Sequence, residues 1–220
     1  LGEGGVINGV SAAPEYRGGD EEAATSGGGF VWFSLTVGSG FGYHSGHPEA
    51  NRTDDKENKL TNSGVAMARL LHIKPEFGFF VTDSLLLSLQ GRFQLVNGAT
   101  SVKGSEVEKN PGACKGGTCH PSTFALAVLA KATWFLGEPG VVTPFLSLAA
   151  GGGQIRHVVS VGRLTGCPSG GCKDTVAGGP FLAGAGFGIS VELSESFSLV
   201  ASADALVGLP KTMANLDINL

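Results

Sequence analysis

Four cysteines and five histidines are the residues of this 220-residue chain whose types and spacing offer chemistry. The cysteines form two local pairs, Cys114/Cys119 and Cys167/Cys172. They enclose the Gly-containing turns Lys-Gly-Gly-Thr and Pro-Ser-Gly-Gly. An even count in polar segments points to disulfides in an oxidising compartment; four cysteines allow three connectivities, of which the two local ones are preferred. The rival is a zinc site that adds His120, although a four-residue gap is about the outer limit for paired zinc cysteines. His44-Ser45-Gly46-His47 with Asp54 and Asp55 offers metal ligands but reads better as a solvated polar loop. The glycine strings 38–42 and 184–188 invite a phosphate-loop reading. No helix pattern follows either string, so no helix N-terminus awaits an anion. His157, beside Arg156, is read as a rim residue.

The elements that must position these residues are strands, because the dominant period is two. Between Phe30 and Tyr43, Val31, Phe33, Leu35, Val37, Phe41 and Tyr43 share one face, interrupted only by Ser39. Small or polar residues fill the other face. The alternation returns in 65–81, 85–95, 124–136, 145–155, 181–193, 197–207 and 216–220, which makes eight strands. Facing is ambiguous only in the fifth, where Leu146 and Leu148 compete with Phe145 and Ile155. The connections after strands two, four and six are short, and those after one, three and five are long and polar. The predicted fold is therefore all-β: an eight-stranded antiparallel up-and-down transmembrane β-barrel. Residues 1–29, rich in Gly and acidic residues, read as a flexible leader, and 30–220 as the barrel. Leu1–Gly5 show neither the n-region nor the h-region of a signal peptide, so the chain reads as mature or trimmed.

Composition decides which face meets lipid. Charged residues are 15% of the chain, against roughly 25% in an ordinary soluble domain. A net charge of −4 argues against nucleic acid. No apolar stretch is long enough for a helical span. A soluble barrel would carry many charges on its outer face, and this chain has too few. The apolar face is thus the outer one, with Phe33, Tyr43, Phe124 and Trp134 at the two membrane interfaces. Lys74, Glu76, Arg92, Lys131, Glu192 and Asp204 face inward, where buried charges persist only when paired. They are expected to form a salt-bridge network that fills the lumen, since an eight-stranded interior is about wide enough for side chains alone. Arg69 falls on the lipid side near a strand end, where it can snorkel. Pro75 sits mid-strand and predicts a bulge or register defect.

Three segments carry a family resemblance. They are Pro75–Leu85, Thr143-Pro144-Phe145-Leu146 leading into Ala149–Gly153, and Gly184–Ile189 leading into Leu193–Phe197. They resemble small bacterial outer-membrane β-barrels of the OmpA-transmembrane/OmpX/OmpW-like kind, over about residues 30 to 220. The resemblance implies an integral protein of the Gram-negative outer membrane. That family includes anchors, adhesins, small-solute channels and a few lipid-modifying enzymes. Such barrels commonly close on an aromatic residue, which Leu220 is not.

A lipid-acting enzyme would need a Ser/His/acid constellation on the lipid side. The apolar-face sets contain no His, and Ser39 stands alone among them. The expectation is a non-enzymatic anchor, scaffold or surface-interaction protein without cofactor. It would act through disulfide-braced loops 97–121 and 160–177. Lipid and lipopolysaccharide would be its default partners, and other envelope proteins would meet its loops and a periplasmic leader. The alternative is a narrow channel or conduit for small apolar solutes, which requires an apolar hollow.

Overall fold

The computed structural model describes residues 10–11, 30–44, 64–66, 70–98, 102–103, 114–115, 118–119, 122–137, 141–161, 172–194, 196–211 and 213–220. Eight long strands build it: β1 (Val31–His44), β2 (Leu70–Phe80), β3 (Leu85–Val96), β4 (Phe124–Phe135), β5 (Val142–Gly153), β6 (Cys172–Ser194), β7 (Phe197–Lys211) and β8 (Met213–Asn219). Each pairs antiparallel with the next, and β8 returns to β1 with Leu216 opposite Phe41 and Asn219 opposite Gly38. The sheet closes on itself. The closing seam is short: β8 pairs with β1 from Gly38 to His44, with Val37 bonded to Leu220, and Val31–Thr36 lie below its reach.

The period-two pattern dictates which side chains enter. Trp32, Ser34 and Thr36 are buried while Phe33 and Val37 are exposed; His72, Lys74 and Glu76 are buried while Ile73 and Phe77 are exposed. The ambiguous fifth strand resolves the same way, with Phe145 and Ser147 inside and Leu146 and Leu148 outside. Phe33 and Trp134 stand exposed near the short-turn end, Tyr43 and Phe124 near the long-loop end.

Two local expectations change. Pro75 causes no register shift: Ile73 opposite Phe93 and Glu76 opposite Gln90 share one register, and only the pairing at 74 and 75 is missing. The ring is accommodated because Gly91 lies across from it; a Cβ there would sit 3.3 Å from Pro75 Cγ. The polar connection 160–178 is also shorter than expected. Ile155–Val161 pairs with 172–178 in the same register that joins β5 to β6. The antiparallel hairpin therefore runs well beyond the cylinder wall. Period-two apolarity misses this extension because its side chains are not sorted between lipid and lumen.

Smaller pieces adjoin the barrel. Gly64–Ala66 continues the ladder on β1, and Val10–Ser11, within the stretch read as leader, pairs with the start of β7. Val102–Lys103, Cys114–Lys115 and Thr118–Cys119 make a separate three-stranded patch. Arg69, the 44–47/54–55 polar loop apart from the His44 backbone, His120 and Cys167 lie outside the described residues.

Candidate functional site in the barrel lumen

From the short-turn end upward, the first layer is apolar. Trp32, Phe80, Leu86, Phe145 and Val200 are buried together with Phe135 packed against them. Trp32 meets Phe80 and Phe135 edge-on at 5.9 Å between ring centroids, and Phe135 meets Phe145 at 5.6 Å. These residues come from the ends of β1, β2, β3, β4, β5 and β7 that meet at the short turns, so the layer floors the cylinder.

Above the floor lies a first ion cluster. Lys131 Nζ is 3.0 Å from Glu76 Oε2. Ser88 and Gln90 donate to the two oxygens of the same carboxylate at 2.6 and 3.0 Å. A second cluster centres on Asp217. Arg92 forks onto it with Nε–Oδ2 2.9 Å and Nη2–Oδ1 3.0 Å, and Lys74 Nζ approaches Oδ2 at 2.8 Å. Lys74 also meets Asp204 at 3.0 Å, and Asn219 donates to Asp204 at 2.8 Å while accepting from His72 at 2.7 Å. Lys74, Arg92 and Lys131 thus face Glu76, Asp204 and Asp217, equal in number and opposite in sign. Fork geometry and saturated oxygens are what a buried ion group needs to offset its desolvation.

The long-loop end is filled by the hairpin extension. Ile155, Arg156 and His157 are consecutive and all buried, as are Val176 opposite His157 and its neighbour Thr175. Burial on both faces means that this segment runs through the mouth instead of along the wall. Gln94 of β3 donates to the Arg156 carbonyl at 2.7 Å and accepts from its N–H at 3.1 Å. His157 donates to Asn215 of β8 at 2.8 Å, and Thr175 donates to the Ser122 carbonyl at 2.8 Å. Gly42 is required here, because a Cβ at that inward position would overlap the His157 ring. The plug is wired to the ions below: Gln94 also accepts from Arg92 at 2.7 Å, and Asn215 donates to Asp217.

Among the described residues, little space remains between the floor and the upper ion cluster. Cavities of about 20 and 10 Å³ lie between floor and upper ion cluster, both lined by Gln90, Lys131 and Asp204. Each has room for about one water. Thr133 Oγ1, buried without a protein partner, borders the larger one.

Charge sealed inside and hydrocarbon presented outside is the inverse of a soluble barrel. The chain is a transmembrane β-barrel of the outer-membrane type. Comparison with known families finds no matching family model, and comparison with curated proteins finds no match. Among solved structures the barrel is similar to three outer-membrane proteins. The N-terminal β-barrel domain of Pseudomonas aeruginosa OprF gives 16% identity and a TM-score of 0.38, covering 84% of this chain and 97% of that one. Neisserial surface protein A gives 12% and 0.44, covering 85% and 94%. Ail of Yersinia pestis, solved with the heparin analogue sucrose octasulfate, gives 11% and 0.39, covering 88% and 97%.

Of the six charges expected inside, Lys74, Glu76, Arg92, Lys131 and Asp204 lie in the two clusters. Glu192 does not; it is exposed near the short turn, where water solvates it. The unforeseen centre is Asp217. Its signal was present, since it alternates with Leu216 and Ile218 on the polar side of β8 between Asn215 and Asn219. His157 is a correction: it is fully buried in the mouth, because the hairpin carrying it folds inward.

The outer face supplies its own test. Leu148 is 67% exposed at mid-strand. Leu148→Arg is expected to destabilise the barrel by about 2–4 kcal/mol in a bilayer, the midplane cost of arginine. Denaturant titration in phospholipid vesicles reads this directly. A cost near zero would mean that this face does not meet hydrocarbon.

Proposed function

We propose that this barrel is a non-enzymatic anchor of the Gram-negative outer membrane that works through its long-loop end. The observation that carries the reading is the filled lumen. Among the described residues, the aromatic floor, two ion clusters and plug fill the cylinder around cavities of about 20 and 10 Å³, so this reading takes the cylinder as a source of stability and not a path. A conduit for apolar solutes would need an apolar hollow at mid-height, where Lys74, Arg92 and Asp217 stand instead.

What remains for function is the outward surface. Loops 97–121 and 160–177, the latter apart from its buried Thr175 and Val176, are the contact surface in this reading, with lipid, lipopolysaccharide and other envelope proteins as partners. The local disulfides stay part of it. Cys114 lies directly opposite Cys119 in an antiparallel pair, a placement that suits a disulfide. Cys167–Cys172 is proposed on spacing alone.

Planar-bilayer recording of the purified protein is the test. The expected result is an absence of stable single-channel steps. Reproducible conductance would replace the anchor with a channel.

A further inference from the structure

The inward turn of the long hairpin is made at two glycines. Gly153 ends β5 at φ +139°, and Gly179 lies beside it on β6 at φ +131°. L-residues rarely adopt either value. A Cβ on Gly179 would run into the Gly153 carbonyl oxygen, and one on Gly153 would meet Ala127 and the Leu126 carbonyl. The register of β5 with β6 is identical below and above this point. Straightening the hairpin therefore breaks no pairing within it.

We propose that residues 155–161 and 172–178 form a hinged plug with two positions. Seated, it closes the mouth, clipped by Gln94 and Asn215. Straight, it continues the β5–β6 ladder outward and uncovers a polar cup floored by Arg92 and Asp217. The seated form is the ground state, because Ile155 and Val176 bury their apolar side chains in it. Gln94, Asn215 and the Ser122 carbonyl each clip the plug from the barrel side. Both Gln94 and Asn215 also hold the ions beneath, so plug position and ion geometry are linked. This motion is separate from the anchor reading: conductance tests that reading, and chemical access to the plug tests this one.

Gly153→Ala combined with Gly179→Ala favours the straight form, since alanine fits an extended strand and not these φ values. At 179 the following Pro180 adds to the bias toward extended backbone. The readout is carbethoxylation of histidines by diethyl pyrocarbonate in detergent micelles, located by mass spectrometry. His157 is fully buried in the seated plug. His157 is expected to react about tenfold or more faster in the double variant, tracking the open population. Unchanged His157 protection in a variant that still migrates as a folded barrel would overturn the proposal. So would wild-type His157 reacting as fast as in unfolded protein. Gln94→Leu, which removes one clip, gives the second arm and should raise His157 reactivity in the same direction. If both variants lose the barrel, the hairpin is a fixed part of the core and the hinge is wrong.

Discussion

Asp217→Ala is expected to lower the stability of the folded barrel by about 3–5 kcal/mol, the penalty for leaving buried charge without its partner. Asp217 is wholly buried and takes Arg92 and Lys74 at once. Its removal strands a guanidinium and leaves the Lys74 ammonium with Asp204 alone. Asn215 also loses an acceptor, so the damage reaches the His157 contact. Urea unfolding, followed by the shift in gel mobility between folded and unfolded barrel, measures the loss. Glu192→Ala is the control, because an exposed carboxylate outside the clusters should change stability by no more than about 0.5 kcal/mol. Equal effects of the two replacements would refute the assignment of Asp217 as the hub.

The second large effect belongs to the floor. Trp32→Ala should cost about 3–5 kcal/mol, the usual range for deleting a large buried aromatic. Trp32 is the member of the layer that contacts both Phe80 and Phe135 edge-on, so its loss also removes two aromatic pairs. The rings are held by four different strands, which limits collapse into the space. The same unfolding assay reads the effect. Trp134→Ala provides the comparison, since that ring is 61% exposed on the outer face and leaves no internal void. A floor that fills the cylinder predicts a clearly larger loss at 32 than at 134.

The sequence revealed the barrel because a bilayer sorts side chains strictly. Every odd residue from Val31 to Tyr43 faces outward, and that parity is visible without coordinates. Inward charge was legible for the same reason at Lys74, Glu76, Arg92, Lys131 and Asp204. Parity alone gives a side and not a depth. Glu192 has the inward parity, yet it lies past the floor, where a carboxylate meets solvent. Asp217 has the same parity at a depth where four strands converge. Depth depends on strand stagger, which only the pairings reveal. The plug was illegible for a different reason. Ile155-Arg156-His157 shows no alternation, because protein surrounds it on both faces. Its one local sign was glycine at 151–153 and again at 178–179, a sign shared by many turns.

The position of Asp217 also bears on how the chain is assembled. The cations it neutralises arrive on the second and third strands, and the carboxylate arrives on the eighth. A half-built sheet therefore holds Arg92 without its counterion, and only the joining of first and last strands cancels that imbalance. The salt bridge thus ties the cancelling of that charge to the meeting of the chain's two end strands.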